Sequence, residues 1–233
     1  MIIKNFIKTN PFANRFLAKI YRIISRSRLV IKGRDNLCDF NVSGLFLLHS
    51  NITIRGNNNV ITFIANENGN VTHFKNLRII INGNNNRIMI GSHSSGHDFK
   101  ISIEDDYNQV VLGEHFTVGE NTELAVIEGT SIEFGKDCQL SANITLRTGD
   151  SHSITNLQGK RTNLSKSIII GNHVWIGNTA LIFKGTNIAD NSIVAGGSVV
   201  CGKTFPSNVI VGGNPAKIIK DGINWDRRRL PID

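Results

Sequence analysis

Ile170 to Thr204 reads IGNHVWIGNTALIFKGTNIADNSIVAGGSVVCGKT and divides into six consecutive frames with a period of six residues. The frames open at Ile170, Ile176, Ile182, Ile188, Val194 and Val200. Four residues after each opener stands Val174, Ala180, Thr186, Ser192, Ser198 or Thr204. A helix needs apolar residues every three or four positions and an isolated strand every two, so neither template fits. A fixed short period marks a solenoid, whose units are too small to bury their own apolar faces and must stack on one another. One branched aliphatic per six residues then builds a continuous internal ladder, and the fold class is an all-β solenoid.

Upstream the repeat is looser but still visible. Ile52-Thr53-Ile54-Arg55-Gly56-Asn57-Asn58-Asn59 returns 27 residues later as Ile79-Ile80-Ile81-Asn82-Gly83-Asn84-Asn85-Asn86, and a third copy runs from Ile101 through Asp105-Asp106-Tyr107-Asn108 to Leu112. Each copy is a short alternating run, a polar turn and a second run, as stacked coils with asparagines at their corners require. Asparagine tolerates the left-handed backbone angles of tight corners. A polar ladder that binds saccharide is the functional alternative to this turn chemistry. From Leu112 the sixfold register runs through Val118 and Leu124. It resumes at Phe134, Leu140 and Leu146 after a slip of four residues, which predicts a small corner insertion. Between Thr148 and Ser167 the register breaks, and such an inserted loop is where function concentrates in a solenoid.

Charge is unevenly spread. Residues 1–34 carry nine basic groups and no acid, leaving 17 basic against 18 acidic residues elsewhere, so the net +8 belongs to this arm. Asn10 suits a helix N-cap and Pro11 the first helical position. Phe12, Phe16, Leu17, Ile20, Ile23 and Ile24 then keep helical spacing opposite Arg15, Lys19, Arg22 and Arg26. Two readings stand side by side: attachment to an anionic membrane surface, or a cap over the open end of the stack. Nothing matches a nucleic-acid-binding module. Cys38, Cys138 and Cys201 are odd in number and lack C-x-x-C spacing, which argues for a reducing compartment. With no secretory signal and no membrane-spanning apolar run, the expected location is cytoplasmic, at the inner face of the cell membrane where the arm binds it.

Gly171-Asn172-His173-Val174-Trp175-Ile176-Gly177, Ala195-Gly196-Gly197-Ser198-Val199-Val200 and Gly213-Asn214-Pro215-Ala216-Lys217 together resemble the hexapeptide-repeat acyltransferases. The resemblance implies a left-handed parallel β-helix and a homotrimer. One departure is a glycine more than expected in Ala195-Gly196-Gly197-Ser198. The implied organisation is a basic amphipathic arm over 1–34, a β-helix over 35–213 with a loop insertion at 148–167, and a tail over 214–233 that leaves the stack.

For chemistry, His152 differs from the other six histidines because it sits in the inserted loop. Asp150 two positions earlier would share its side in an extended backbone and hold the imidazole tautomer, freeing the other nitrogen to take a proton from an alcohol. His115 and His173 are expected at solvent-facing frame positions without carboxylate partners, and His93 and His97 have a spacing that zinc would accept. Arg147 to Ile154 followed by Val174-Trp175-Ile176-Gly177 is similar to the bacterial capsule and surface-polysaccharide O-acetyltransferases. That similarity implies His152 as general base, direct transfer from acetyl-CoA to a saccharide hydroxyl, and no required metal. Trp175 is a candidate oxyanion donor through its indole N–H. Acetyl-CoA would lie in a groove between subunits lined by Trp175, Gly177, Ala195, Gly196 and Ser198, with Lys203, Lys217 and Lys220 for its phosphates. The alternatives are an N-acetyltransferase of a nucleotide-activated amino sugar, a zinc carbonic anhydrase on the same coil using His93 and His97, and a scaffold without catalysis.

Overall fold

The structure, a computed structural model, describes residues 25–40, 44–64 and 71–232. The amphipathic segment from Pro11 to Ile24 lies outside the described residues. Among the described residues, twenty-four of twenty-five short strands wind into three parallel sheets, each strand up to the last coil pairing with the third strand after it, so that the chain turns one corner between consecutive faces. The result is a left-handed parallel β-helix: the solenoid is what the hexads predict, and its hand is what the resemblance implies. Face one begins with Arg28–Lys32 and ends with Val199–Cys201; face two runs from Leu37–Asp39 to Thr204–Phe205; face three runs from Leu45–Leu48 to Ile210–Gly213.

The frame openers are the rungs. Ile170 pairs with Ile188 on face two, Ile176 with Val194 on face three, and Ile182 with Val200 on face one, and all six are buried. Each rung taken fully out of water contributes about 1.5–3 kcal/mol. The interior also takes small polar side chains, because Thr186, Ser192 and Ser198 turn their hydroxyls onto carbonyls of their own corners. The ladder continues past Thr204, where the frames were expected to end. Thr204 is exposed and Phe205 takes the buried place over Ile188, after which Val211 stacks on Val194. One residue is missing from that frame, and the bulk of Phe205 fills the position. The doubled glycine inserts nothing, since Val194 and Val200 remain in register on either side of it. Gly197 takes the left-handed corner position, φ 69°, that Thr179 holds one coil earlier at φ 60°.

Asparagines stack at the corner between faces one and two. Asn59, Asn86 and Asn108 are fully buried, and each side-chain oxygen accepts from the next member: Asn86 Nδ2 to Asn59 Oδ1 at 3.0 Å, Asn108 Nδ2 to Asn86 Oδ1 at 3.1 Å. The same corner absorbs the irregularities of the chain. The four-residue slip falls at Ile127–Thr130, between the strands Thr122–Val126 and Ser131–Phe134, and the long loop leaves the next coil at the equivalent place.

Both ends differ from the expected boundaries. The first strand, Arg28–Lys32, pairs with Asn51–Arg55, so Arg28, Lys32 and Arg34 belong to the first coil and not to a separate arm. The C-terminal residues do not leave the stack. Ala216–Lys220 turns back antiparallel to Ile210–Gly213, and the chain then descends along the corner between faces two and three.

Candidate active site

The inserted loop joins Thr145–Arg147 on face one to Ile168–Ile170 on face two. Its outer part is a small hairpin, closed by Thr162 N to Ile154 O at 2.8 Å and Asn156 N to Lys160 O at 2.9 Å. Arg161 and Ser165 both bind the carboxylate of Glu128, which ties the hairpin to the coil beneath it. His152 is exposed, and its imidazole makes no hydrogen bond among the described residues; only its main-chain carbonyl is engaged, by Asn163 Nδ2 at 2.8 Å.

Asp150 does not hold that imidazole. One of its oxygens takes Lys184 Nζ from the following coil and Asn163 Nδ2 at 2.7 Å. These two bonds keep its carboxyl below the ordinary carboxylate range. The same-side argument fails here because the backbone of residues 149–152 bends instead of running extended.

Trp175 lies on face three, between Gln139 and Ile193, and donates its indole N–H to Ser141 Oγ at 3.2 Å. The loop springs from the corner opposite that face, so a single chain does not bring His152 and Trp175 together. Gly177 and Gly196 stack at the corner between faces three and one, where Gly177 N donates to Val194 O at 2.8 Å. A methyl group on Gly177 would come within 2.6 Å of Gly196 N, so only glycine allows the coils to approach this closely. Ala195 and Gly196 remain at the surface of that corner. Ser198 does not line it: the side chain is buried, donating to Ala195 O at 2.6 Å and accepting from Gly213 N at 3.3 Å. As the fifth residue of its frame, Ser198 occupies an inward position. Lys203, Lys217 and Lys220 are exposed at the terminal end of the stack, with Lys203 Nζ 3.2 Å from Ala216 O.

The largest departure lies along the corner between faces two and three. His93, His115, Asp137 and His173 each stand two residues after a glycine (Gly91, Gly113, Gly135, Gly171), each with positive φ, and they stack into a column. His93 and His115 rings lie parallel at 4.6 Å; His115 Nδ1 is 2.7 Å and His173 Nδ1 2.6 Å from the two oxygens of Asp137. Both histidines therefore have the carboxylate partner that the sequence reading denied them. The recurring Gly-x-His or Gly-x-Asp would have signalled the column. His97 belongs to the far edge of face three, beside Asp98 and Glu120, so His93 and His97 do not form one site.

The C-terminal segment packs on this column. Ile223 and Asn208 exchange two hydrogen bonds, Trp225 lies parallel to His173 at 4.1 Å, and Trp225 Nε1 donates to the His173 carbonyl at 2.7 Å. Arg227 reaches Asp137 Oδ1 (2.7 Å), Thr117 Oγ1 (2.8 Å), Gln139 Oε1 (3.2 Å) and the carbonyls of His115 and Cys138. Burial pushes the Asp137 carboxyl up, but the bonds from His173 and Arg227 outweigh it and leave the group below its ordinary value. Burial, helped by the Arg227 charge, lowers His115. Burial also pushes the Cys138 thiol up to about 12, which makes it a packing group and not a nucleophile. Trp225 comes within 6.0 Å of Trp175, so this segment flanks the candidate oxyanion donor.

No family model matches the chain. It is 34% identical over 178 residues to the polysialic acid O-acetyltransferase of Neisseria meningitidis, an alignment covering 76% of this chain and 80% of that protein. The crystallographically analysed polysialic acid O-acetyltransferase OatWY superposes with a TM-score of 0.80 at 30% identity, covering 87% of this chain and 93% of that one. The crystal structure of NeuO, described as a polySia-specific acetyltransferase, superposes with a TM-score of 0.77 at 29% identity, covering 87% and 89% of the two chains.

Proposed function

We propose, since the chain belongs to the hexapeptide-repeat O-acetyltransferases of surface polysaccharides, that it moves an acetyl group from acetyl-CoA directly onto a polysaccharide hydroxyl, with His152 as general base. The observation that carries this reading is the state of His152: an exposed imidazole with no hydrogen-bond partner among the described residues, on a loop that Asn163 holds at the Asp150 carboxylate, the His152 carbonyl and the Ile154 N–H. His152 takes the hydroxyl proton as the oxygen bonds to the thioester carbonyl carbon. When the carbon–sulfur bond breaks, the same ring returns that proton to the departing thiolate. The oxyanion formed between these events needs an N–H donor, and the Trp175 indole suits that role once Ser141 is exchanged for it.

Because the loop and face three lie on opposite sides of one chain, the reading requires a second copy to complete the site, His152 from one protomer meeting face three of its neighbour. A trimer is the assembly we propose. The glycine corner at Gly177 and Gly196 would accept the pantetheine arm, and Lys203, Lys217 and Lys220 the phosphates. Arg147, Lys160 and Lys166 lie in or directly beside the histidine loop along the chain, and their charge favours an anionic polysaccharide as acceptor. Acetyl-CoA as donor places the reaction on the cytoplasmic side of the membrane.

The test uses acetyl-CoA and surface polysaccharide isolated from cells lacking the gene, with polysialic acid and a neutral glucan assayed in parallel. His152→Ala is expected to lower transfer by about 10²- to 10⁴-fold, the usual worth of a general base, while acetyl-CoA binding by calorimetry is retained. Transfer by His152→Ala above a tenth of the wild-type rate would sink the proposal.

A further inference from the structure

Between Asp150 and Lys166 a single residue, Asn163, is buried. A carboxamide offers two N–H donors and two acceptor positions, and Asn163 uses all four. Nδ2 donates to Asp150 Oδ2 at 2.7 Å and to the His152 carbonyl at 2.8 Å. Oδ1 accepts from Ile154 N–H at 2.7 Å and from Arg161 Nε at 3.2 Å. The opposite amide orientation would set two donors against two donors, so the network fixes which end is which. The Asn163 main-chain carbonyl is held in turn by Lys184 Nζ at 3.3 Å and Arg161 Nη2 at 3.4 Å.

Three of the four residues this side chain grips are Asp150, His152 and Ile154, alternate positions centred on the histidine. None of the bonds reaches the imidazole. The arrangement fixes where the ring is carried and leaves both of its nitrogens free for substrate, which is what a general base needs and what an unpinned, solvent-exposed loop would not provide. Lys184 extends the grip to the next coil through Asp150, so the frame of reference for His152 is the rigid stack itself.

We infer that Asn163 is the positioning residue for His152, and that Asp150 and Lys184 act through it and not on the ring. The inference rests on the reading of His152 as the base. A displacement of roughly 1 Å at a reacting group costs about 100-fold in rate, and that is the loss expected in kcat for Asn163→Ala, with KM for acetyl-CoA within about twofold of wild type, because the corner glycines and the lysines at the end of the stack, not the loop, are the groups proposed to bind it. Asn163→Asp keeps the shape, removes both donors and sets a carboxylate against Asp150, so it falls at least as far. Asp150→Asn retains an acceptor for Asn163 and loses the Lys184 ion pair, giving an intermediate loss.

The experiment measures these three full-length variants and His152→Ala with acetyl-CoA and polysaccharide from the deletion strain, alongside thermal melts. Wild-type kcat in Asn163→Ala or Asn163→Asp, with His152→Ala inactive, overturns the positioning role alone. Activity in His152→Ala removes the base reading, and this assignment with it. A loss in Asn163→Ala that comes with a collapsed melt, while Asn163→Asp melts normally at wild-type kcat, also overturns it.

Discussion

Replacing Arg227 by alanine removes the guanidinium that fastens the C-terminal segment to the column. Its side chain is 21% exposed, and it makes one charged bond to Asp137 and four others spread over two successive coils. Breaking a buried ion pair from one side costs about 3–5 kcal/mol, and a hydrogen bond to a charged group about 1.5–3. Two features pull the figure down. Asp137 is 34% exposed and keeps His115 and His173, and Thr117 and Gln139 lie on an outer face where water can replace the lost donor. We expect about 2–3 kcal/mol, or roughly 30- to 150-fold in the equilibrium between docked and released segment. The chain has two tryptophans, and both report on this place. Hydrogen exchange of the Trp225 indole N–H, which is bonded to the His173 carbonyl, should accelerate by that factor, with a matching change in fluorescence. The amides of the rungs at Ile176 and Val194 should exchange as in wild type, because the ladder does not depend on the segment. Unchanged protection of the indole, or equal loss of protection in the rungs, would refute the reasoning.

Acidification should release the same segment. His115 is lowered in the folded protein, so the unfolded state binds more protons as pH falls below about 6.5 and stability declines from there. Asp137 is also lowered, so its contribution is present above about 3.9 and is lost as pH falls through its folded value. A fluorescence titration should show a two-stage loss over this range, and a rise in protection on acidification would contradict the assignment. Asn86→Ala should cost about 3 kcal/mol or more, since it strands the Asp105 carbonyl and two donors of Asn108 at about 1–3 kcal/mol each; a urea midpoint equal to wild type would show that the asparagine stack carries no stability.

The rungs were legible because a six-residue period is a local property: Ile170 and Ile176 announce their inward positions without reference to anything distant. The corner asparagines were legible for the same reason, and so was the slip at Ile127–Thr130. The column shows in the sequence only as the recurring Gly-x-His or Gly-x-Asp, because the loop sets Asp137 and His173 36 residues apart where the coils just before and after it differ by 22 and 18. The C-terminal segment was missed because Arg227 finds partners 88 to 112 residues away, and no pattern in Trp225-Asp226-Arg227 announces them. Ser198 was misplaced by treating every small residue at a corner as exposed, although the frame itself puts the fifth position inside. Asn163 carried no sequence signal; its value comes from being the one loop residue turned inward.

The loop leaves and re-enters at a corner, and the coil closes as though nothing had been inserted: Phe134 still lies over Ile170 and Leu146 over Ile182. Chain length between those residues is therefore uncoupled from the cost of assembling the scaffold. A hairpin of another size or charge, grafted between Thr155 and Lys160 so that His152, Asn163 and the Glu128 contact stay in place, should be tolerated by the same body without disturbing its rungs or its glycine corner.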